Sequence, residues 1–483
     1  MVGLAALISK NGEDVSEPLT QMLRAMKHRG GDGYGVADKD GVFITSSLPK
    51  AEGASSTILL GCCNRKLLPN DLEQPLSQYG YALALDGKLY SFEIPDAFAA
   101  AEHLGRDPEK GIEQFLIETN GSYALVVLKD SHLLCARDPL GEVPLYLGES
   151  RRHFGVASER KALWSVGIEN PTSLPPGHLV EITRQGVSMK PVKVLTQPEP
   201  HRLSEDEVAQ RVGVLFLRAV DIRTRDVERV ALGFSGGLDS SLLAYITNAC
   251  GVEVDLISVG VKGSREIEDA VEAAESLGLP YYAQLYGEDE VEETLDAALL
   301  YVEEPDQLKV EIAMPLLWVA EKAVELGDRV LLLGQGCDEL FGGYKKYSDE
   351  YLKEGAEAAQ SLMFREVSEA CRKNYEPANK VSAYHGVELR LPFADWELTQ
   401  FVLSLPVELK LSPENSLGKK VLRRLAESLE LPSTITTRRK RAIQYSTGVD
   451  KALRRIAKKR GLTLTSLLQR RFTKVLSRYN LSK

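Results

Sequence analysis

The chain has 483 residues and a formal net charge of −10, with 43% hydrophobic and 27% charged residues. Because one hydrophobic core seldom organises so long a chain, we expect two or three domains. The composition is typical of a folded soluble protein, and no apolar run approaches the roughly 18 residues of a membrane span, so we expect no membrane association. The acidic balance argues against a surface uniformly covered by nucleic acid.

The cysteines show neither zinc spacing nor a paired Cys-x-x-Cys pattern. They are Cys62, Cys63, Cys135, Cys250, Cys337 and Cys371. Cysteines so distributed in a long chain are typical of buried thiols rather than disulfides. Residues 1–10 lack the basic stretch that precedes the apolar core of a signal peptide. We therefore expect a cytoplasmic protein.

Residues 1–195 contain many short apolar segments separated by turn signals such as Asp-Gly and Asn-Gly. Strands are predicted at 4–8, 41–45, 57–60, 81–85, 123–128 and 132–136. Helical periodicity is limited to 17–27, 95–104 and 112–117. This pattern is typical of an α+β domain with stacked antiparallel sheets, and the proline-bearing stretch 190–200 is predicted to be a linker.

From residue 203 to residue 483 the periodicity changes, and helices alternate with strands. Helices are predicted at 205–223, 240–249, 267–277, 291–301 and 311–326, and strands at 230–234, 254–260, 281–285 and 329–333. This alternation predicts an α/β domain with a doubly wound parallel sheet, whose ligands bind at the carboxyl ends of the strands. Residues 345–483 are predicted to be mainly helical.

The segment 235–241, Ser-Gly-Gly-Leu-Asp-Ser-Ser, joins a predicted buried strand to a predicted helix. Its glycines allow a sharp turn and a close approach of the backbone to a ligand. The Asp-Ser-Ser sequence is expected to provide a helix N-cap and first-turn hydroxyl groups. Loop amides and a helix N-terminus at one place favour an anion site. The Gly-Lys-Ser/Thr ending of the kinase-type phosphate loop is absent.

This segment resembles the pyrophosphate loop of ATP pyrophosphatases, which cleave ATP between its α and β phosphates. Further motifs follow it in order: Gly-Gln-Gly-Cys-Asp-Glu-Leu-Phe-Gly-Gly-Tyr at 334–344, Ala-Asn-Lys at 378–380, Gly-Val-Glu-Leu-Arg-Leu-Pro-Phe-Ala-Asp at 386–395, the segment 419–423, and Arg-Arg-Lys at 438–440. Together they resemble the asparagine synthetases.

The resemblance implies ATP and Mg²⁺ as cofactors, with Asp239 and Asp338 holding the metal ion. It places Lys440 at the acyl-transfer step and Lys419 on the phosphate side. It leaves Arg423 either near the phosphates or on a solvated helix face. The residues expected to contact nucleotide are Leu232, Ser235, Gly236, Gly237, Asp239, Ser240, Val259, Gly334 and Lys419.

Gln335 departs from the family pattern, which has glutamate here as the proposed base for ammonia. Glutamine cannot accept a proton near neutral pH, although its amide can orient a nucleophile. Two interpretations stay open. Either neutral ammonia is only positioned by Gln335, or the acceptor or nucleophile differs and another group, such as Glu339, acts as the base.

The first domain resembles the glutaminase half of the same enzymes, through His-Arg-Gly-Gly-Asp-Gly-Tyr-Gly at 28–35 and Ala-Arg-Asp-Pro-Leu-Gly at 136–141. Family members carry a catalytic cysteine directly after the initiator methionine, where this chain has Val2, which cannot act as a nucleophile. The family's Asn-Gly-Glu is Asp-Gly-Lys at 86–88, and its Ser-Asp-x-Glu segment has no counterpart. We expect Cys62 and Cys63 to be buried strand residues and the domain to be an inactive, scaffold-like amidotransferase domain.

Residues 438–483 contain fifteen Lys or Arg and one acid, Asp450. The segment 438–441 belongs to the expected phosphate-side loop. The remaining charges predict either solvated amphipathic helices, the favoured interpretation, or an RNA-binding surface.

The sequence therefore predicts an ATP-dependent amide-forming ligase that adenylates a carboxylate, most simply aspartate, and amidates it with ammonia. Free ammonia or a separate ammonia donor is expected instead of glutamine. One alternative is an adenylating ligase or RNA modifier with another acceptor. The other is a non-catalytic nucleotide-binding relative, against which the retained Ser235, Asp239, Asp338 and Lys440 argue. The oligomeric state, a homodimer included, stays open.

Overall fold

The computed structural model describes residues 1–48, 56–69, 71–199, 203–264, 266–413 and 417–478. It contains two compact units. The first unit comprises residues 1–194 together with Phe472 and the described residues after it, and the second comprises residues 195–471. The sequence placed all of 203–483 in the second domain. Phe472 joins the first unit because its ring packs edge-on against Trp164, with 6.4 Å between the ring centroids.

The first unit is built mainly from strands. They are β1 (Val2–Ser9), β2 (Gly33–Ala37), β3 (Val42–Thr45), β4 (Ile58–Asn64), β5 (Leu76–Gln78), β6 (Tyr81–Leu89), β7 (Gly121–Lys129), β8 (His132–Arg137), β9 (Tyr146–Glu149), β10 (His153–Ala157), β11 (Thr172–Ser173), β12 (His178–Ile182) and β13 (Val187–Pro191). They form two antiparallel sheets, ordered β11-β9-β10-β1-β4-β2-β3 and β13-β12-β8-β7-β6-β5.

Four helices accompany these sheets: α1 (Ser16–Ala25), α2 (Asp96–Leu104), α3 (Pro108–Glu118) and α4 (Arg160–Trp164). One core joins the facing sides of the two sheets and includes Leu4 and Val126. A second core joins the first sheet to α1 and α4, and a third joins the second sheet to α2 and α3. Because β1 and β4 bury both of their faces between these layers, their sequences are continuously apolar.

The second unit contains a five-stranded parallel sheet. Its strands are β14 (Arg229–Gly233), β15 (Glu253–Val261), β16 (Tyr281–Tyr286), β17 (Val330–Leu332) and β18 (Glu388–Arg390). Their order is β16-β15-β14-β17-β18. The predicted alternation of helices and strands is confirmed. The short edge strand β18 was missed because its three residues carry no periodic signal.

Helices surround this sheet and form the rest of the unit. They are α5 (Glu205–Thr224), α6 (Leu238–Ala249), α7 (Glu266–Leu277), α8 (Glu288–Val302), α9 (Gln307–Leu326), α10 (Cys337–Phe341), α11 (Lys345–Glu354), α12 (Ala356–Ala370), α13 (Glu376–His385), α14 (Trp396–Leu403), α15 (Lys420–Ser428), α16 (Ser433–Thr436), α17 (Ile443–Ser446), α18 (Val449–Lys459) and α19 (Leu464–Arg478). A π-helical turn, Cys371–Tyr375, joins α12 to α13.

Two helix starts illustrate how local sequence sets these elements. Helix α5 begins with a complete capping box, in which Ser204 and Glu207 satisfy each other's backbone amides. Helix α6 begins two residues earlier than predicted, with Gly237 as its N-cap and without a side-chain cap. The expected N-cap at Asp-Ser-Ser is therefore wrong, whereas the expected first-turn hydroxyl groups are confirmed, because Ser240 and Ser241 lie in the first turn.

Four of the basic residues near the C-terminus, Arg455, Lys459, Arg460 and Arg471, pair with the acidic helix α8. The Glu288 carboxylate forms ion pairs with Arg455 at 2.9 Å and with Lys459 at 2.5 Å. Glu292 pairs with Arg460 and, at 3.4 Å, with Arg471. The local excess of Lys and Arg therefore has an internal explanation. None of the described helices is both long and apolar enough to cross a lipid bilayer, and all six cysteines are free thiols.

Candidate active site

The pyrophosphate-loop segment lies between β14 and α6, at the carboxyl edge of the parallel sheet. Gly236 has φ +64°, a conformation that glycine adopts without strain. The loop is closed by hydroxyl groups: the Ser235 amide donates to Ser240 Oγ at 3.3 Å, and the Gly237 amide donates to Ser235 Oγ at 3.3 Å. These bonds fix the turn, and Ser235 and Gly237 line a cavity above it.

A buried lysine joins the two aspartates that were predicted to hold a metal ion. Lys419 Nζ lies 2.5 Å from Asp239 Oδ2 and 2.5 Å from Asp338 Oδ1. Lys440 Nζ lies 2.7 Å from the second oxygen of Asp338. Only 3% of the Lys419 side chain is exposed, against 36% of Lys440. The structure thus brings Asp239, Asp338, Lys419 and Lys440 into one cluster.

The charges in this cluster stabilise one another. Burial alone would raise the pKa of Asp338, but the ammonium groups of Lys419 and Lys440 outweigh burial and hold that pKa well below its usual range. Burial would lower the pKa of Lys419, yet the two aspartates raise it above its ordinary value. Asp338 raises the pKa of Lys440 in the same way, against the effect of burial. All three groups are therefore charged at neutral pH.

A glycine makes the close approach of these side chains possible. A Cβ atom on Gly343 would lie 2.0 Å from Asp338 Oδ1 and 2.4 Å from Lys419 Cε. Any other residue would push the carboxylate and the lysine apart. The second glycine of the Gly-Gly pair after Phe341 is therefore sterically required.

Two arginines hold the surrounding backbone: Arg423, for which the sequence left two positions open, and Arg438 of the expected phosphate-side loop. Arg423 donates to the carbonyl oxygens of Leu417 at 2.8 Å, Gly418 at 3.0 Å and Arg438 at 3.0 Å. Arg438 in turn donates to the Gly236 carbonyl at 2.6 Å. Arg423 therefore lies on no solvated helix face; it ties together the two segments that carry Lys419 and Lys440. In the sequence, only the neighbouring motif residues could have indicated this role of Arg423.

A cavity opens over the loop, and its walls are strongly cationic. It is lined by Ser235, Gly237, Leu238, Asp239, Gly343, Leu417, Lys419, Arg423, Arg438, Arg439, Lys440, Arg441 and Ser446. Six of these residues carry positive charge and one, Asp239, carries negative charge. This charge ratio suits a polyphosphate.

The two aspartates also suit a divalent cation that is shared with a substrate. Asp239 Oδ1 is buried and makes no hydrogen bond within the described residues. In the part of the chain that the structure describes, no group of three or more His, Cys, Asp or Glu side chains could hold a metal ion alone. Mg²⁺ commonly binds one or two carboxylates together with substrate phosphates. Asp239 and Asp338 fit that pattern.

Gln335 and Glu339 both follow the carboxyl end of β17. Their side chains differ in their hydrogen bonds. Glu339 Oε1 accepts hydrogen bonds from Tyr344 Oη at 2.9 Å and from Asn374 Nδ2 at 2.8 Å. Burial, reinforced by the Asp338 charge, raises the pKa of Glu339. Gln335 Oε1 is buried and accepts no hydrogen bond from the described residues. An acceptor without a donor at this position leaves room for an N–H of a ligand.

The predicted nucleotide-lining residues lie on the same sheet edge. Leu232 is in the last part of β14 and pairs in register with Leu332 of β17. Val259 lies on the neighbouring strand β15. The Cα of Gly334 faces α6, since a Cβ there would lie 3.4 Å from Asp239 Cβ. These residues can offer only backbone polar groups and an apolar surface.

In the first unit, a buried network of charges surrounds the start of β1. The Val2 amide donates to Asp86 Oδ1 at 2.8 Å. Arg29 binds the other Asp86 oxygen at 3.1 Å and Glu159 at 2.6 Å. Glu159 also binds His28 at 2.9 Å and Lys161. Burial would raise the pKa of Glu159, but these three cationic side chains lower it well below its usual value.

The two adjacent cysteines near this network are inert. Cys62 and Cys63 are completely buried in β4, as predicted. Burial raises the pKa of both thiols far above neutrality, so neither forms a thiolate near pH 7. The Cys63 thiol donates to the Leu23 carbonyl at 3.4 Å. Both residues serve as packing groups.

Comparison with protein families agrees with this geometry. The asparagine synthase model matches residues 211–369 and 348–479, more than half of the chain. The chain belongs to the asparagine synthase family. A glutamine amidotransferase domain model also matches residues 67–165. The first unit therefore contains an amidotransferase domain of the Ntn type, and the second is an asparagine synthase domain, as the sequence motifs predicted.

Similar proteins cover nearly the whole of this asparagine synthase-family chain. A putative glutamine-hydrolysing asparagine synthetase 1 of Methanocaldococcus jannaschii is 27% identical, over 96% of this chain and 96% of its own length. The asparagine synthetase 2 of Oryza sativa is 30% identical, over 79% of this chain and 68% of its own length. The asparagine synthetase 2 of Arabidopsis thaliana is 26% identical, over 93% and 79% respectively.

Proposed function

We propose that this protein is an ATP-dependent amide-forming ligase that adenylates a carboxylate, aspartate in the simplest case, and amidates it with ammonia. The observation that carries the proposal is the cavity that six cationic side chains, Asp239 and residues of the pyrophosphate loop line, with Asp338 bound to Lys419 beside it. Family membership supports the same chemistry.

In the first step, a carboxylate oxygen of the acceptor attacks the α-phosphorus of ATP, and the bond to the β-phosphate oxygen breaks. Pyrophosphate leaves and an acyl-adenylate remains. Bound Mg²⁺, held by Asp239 and Asp338, would neutralise charge on the phosphates. The loop amides and the side chains of Lys419 and Arg439 provide fixed positive charge for the departing pyrophosphate.

In the second step, the nitrogen of ammonia attacks the acyl carbon, AMP leaves, and a proton is lost. Lys440 is the most accessible cation of the cluster and stabilises negative charge at the acyl centre. We propose that Gln335 accepts an N–H of ammonia through its unpaired Oε1 and so orients the nucleophile. Glu339, whose Oε1 already binds Tyr344 and Asn374, is the alternative base.

The nitrogen source is proposed to be ammonia, either free or from a separate donor protein. Three observations in the first unit support this. Val2 offers no nucleophile, the thiols of Cys62 and Cys63 are buried and protonated, and Asp86 and Arg29 neutralise each other where the relatives' glutamine-binding segment would lie. The amidotransferase domain is then a scaffold without glutaminase activity.

Pyrophosphate release from ATP and Mg²⁺ tests the proposal across a panel of carboxylic acids, with ammonia or with glutamine. We expect acceptor-dependent release, amide formation with ammonia only, and no glutamate from glutamine. If ATP binds tightly but no acid supports pyrophosphate release, the result would indicate the non-catalytic nucleotide-binding relative. Adenylation without amide formation would indicate a ligase with another nucleophile, and glutamate production would refute the loss of glutaminase activity.

A further inference from the structure

The pyrophosphate loop contains one peptide group whose orientation the local sequence leaves open. It joins Gly236, which has φ +64°, to Gly237, which has φ −78°. Turning this peptide over by about 180° would bring the φ of Gly237 to about +100°, which glycine adopts without strain but a residue with a Cβ atom does not. With glycine on both sides, the two orientations of the peptide therefore differ little in backbone energy.

Local hydrogen bonds fix the two ends of the loop. Ser258 Oγ donates to the Phe234 carbonyl at 2.5 Å, directly after β14. The Ser241 amide donates to the Gly237 carbonyl at 3.0 Å, at the N-cap of α6. The peptide between these ends has a weaker local partner, because its N–H, on Gly237, reaches Ser235 Oγ only at 3.3 Å. Its orientation consequently depends on a contact from elsewhere in the chain.

Arg438 supplies that contact from 202 residues further along the chain. Its Nη1 donates to the Gly236 carbonyl, the other end of the same peptide, at 2.6 Å. A flipped peptide would present an N–H group to the guanidinium instead of a carbonyl oxygen, and two donors repel each other. The backbone of Arg438 is itself held, since its carbonyl accepts a bond from Arg423 Nη2 at 3.0 Å and its amide donates to the Ile435 carbonyl at 3.3 Å. Arg438 therefore selects one orientation of the loop peptide.

Arg438 differs in this from its neighbours in the cavity wall. Arg439 and Arg441 are exposed, whereas Arg438 is half-buried and has a donor engaged by the backbone of the loop. Bound to a guanidinium, the Gly236 carbonyl oxygen is also kept from facing the phosphates, which the negative end of a carbonyl dipole would repel.

We propose that Arg438 is a positioning residue that holds the peptide between Gly236 and Gly237 in the orientation that receives the departing pyrophosphate. This inference rests on the proposed adenylation reaction. Arg438 acts through the backbone of the loop and not as a direct ligand of a phosphate. Because Arg423 of α15 binds the Arg438 carbonyl, the two arginines also tie the orientation of the loop to the helix that follows Lys419.

A double-mutant cycle tests this role. Arg438→Met removes the donor and keeps most of the side-chain length, and we expect kcat/KM for pyrophosphate release to fall about 10- to 100-fold, as for the loss of other bonds from a charged donor. Gly237→Ala makes the flipped peptide strained, because alanine disfavours a φ near about +100°. In that background the same Arg438→Met substitution should cost at most about threefold.

The Gly237→Ala variant is the reference for its own background. Its added Cβ atom would lie 3.3 Å from Ser235 Oγ, the end of a short side chain, so its rate is measured alone before the two substitutions are combined. Equal losses in the two backgrounds would show that Arg438 contacts the phosphates directly and would overturn the inference.

Hydrogen exchange of the ligand-free chain reports on the loop without the reaction. In Arg438→Met we expect faster exchange of the segment 234–238, and in Arg438→Met combined with Gly237→Ala an exchange near that of the wild type. A phosphate ligand would leave ligand-free exchange as it is, so unchanged exchange in Arg438→Met overturns the inference. Arg424→Met is the control, because Arg424 is an exposed arginine of α15 that pairs with Asp206 at 2.9 Å; it should change neither the rate nor the exchange.

If no acid supports pyrophosphate release, the same cycle is measured as the Kd of α,β-methylene-ATP with Mg²⁺ by calorimetry. A loss of affinity in Arg438→Met that Gly237→Ala suppresses upholds the positioning role although adenylation fails. Equal losses in both backgrounds, or no nucleotide binding by the wild type, overturn it. If Arg438→Met folds poorly, Arg438→Lys goes through the same cycle with the same two outcomes.

Discussion

Single residues account for the chemical character of the candidate site. Lys419 lies between Asp239 and Asp338 at 2.5 Å from each, where the sequence motifs place a metal ion. An ammonium group and Mg²⁺ cannot occupy that position together. The lysine thus neutralises two largely buried carboxylates, and we predict that Mg²⁺ would bind them only together with phosphates that draw the ammonium group away.

Replacing Lys419 tests this competition. We expect Lys419→Met to destabilise the second unit by about 3–5 kcal/mol, since it leaves buried carboxylates unpaired. We also expect Mn²⁺ or Mg²⁺ without nucleotide to bind the variant more tightly and to restore much of its thermal stability. Titration calorimetry and melting curves with and without metal measure both effects. Lys420→Met, at the exposed neighbouring lysine, is the control; equal metal affinity in both variants would contradict the competition.

The consequence of Gln335 can be read from a pH profile. Because an amide accepts no proton, we expect the ammonia-dependent rate of the wild type to rise with pH as free ammonia increases. Gln335→Glu introduces a base, which typically contributes at least about 10²-fold, and should raise the rate near neutral pH at least tenfold and flatten the profile. Gln335→Leu is the control for the lost amide, and its rate should be lower than the rates of both the wild type and Gln335→Glu. A wild-type profile that is flat above pH 7 would favour Glu339, the pKa of which is raised by burial, as the base.

At the scale of elements, helix α8 determines how the basic C-terminal helices behave. Its acids Glu288 and Glu292 pair with Arg455, Lys459, Arg460 and Arg471. The sequence shows fifteen positive residues in 438–483, but it cannot show that a helix 168–179 residues earlier supplies counter-charges to Lys459, Arg460 and Arg471. We therefore favour the interpretation of amphipathic surface helices over an RNA-binding surface.

A tRNA-binding assay tests whether these ion pairs prevent the basic helices from binding RNA. We expect the wild type to retain little tRNA on filters at about 150 mM salt, where surface attraction is screened beyond about 8 Å. The double variant Glu288→Gln and Glu292→Gln frees cationic side chains and should bind more tightly, with a salt dependence steeper by about 0.7–0.9 for each phosphate contacted. Asp289→Asn with Glu293→Gln, at exposed acids of the same helix, is the control. Strong salt-sensitive binding by the wild type would revive the RNA interpretation.

At the scale of the whole molecule, each unit has its own hydrophobic cores and its own buried polar cluster. In the first unit the cluster of Arg29, Asp86 and Glu159 is fully protein-bound. Each carboxylate in it has a cationic partner, and the Val2 amide also binds Asp86, so the network ties β1 to β6.

Arg29→Met tests that structural role. Removing the arginine leaves Asp86 and Glu159 buried beside fewer cations, and we expect the first unit to lose about 3–5 kcal/mol of stability. Hydrogen exchange at β1 and β6 measures this locally, which matters because a two-domain chain does not unfold as one unit. Arg24→Met, an exposed residue of α1, is the control. Unchanged exchange in β1 would show that the network is dispensable.

Much of the architecture was predictable because it depends on local patterns. The alternation of apolar strands and amphipathic helices predicted the parallel sheet of the second unit, and turn signals predicted the strand-rich first unit. Element boundaries moved by up to four residues, as at α9, because caps such as Asp306 extend a helix beyond its apolar periodicity. Helix α4 and strands β5 and β9–β13 were missed, since their short segments carry little periodic signal.

The sequence by itself determined the family, the two-domain composition and the residue types of the adenylation site, because motifs of glycine, aspartate and lysine reflect local chemical requirements. Only the tertiary structure decided which charges meet. It placed Lys419 between the two aspartates, gave four residues of the basic helices their partners in α8 and turned Arg423 into a backbone clamp. The physical reason is that ion pairing and burial depend on distances between residues far apart in the chain, which periodicity does not encode.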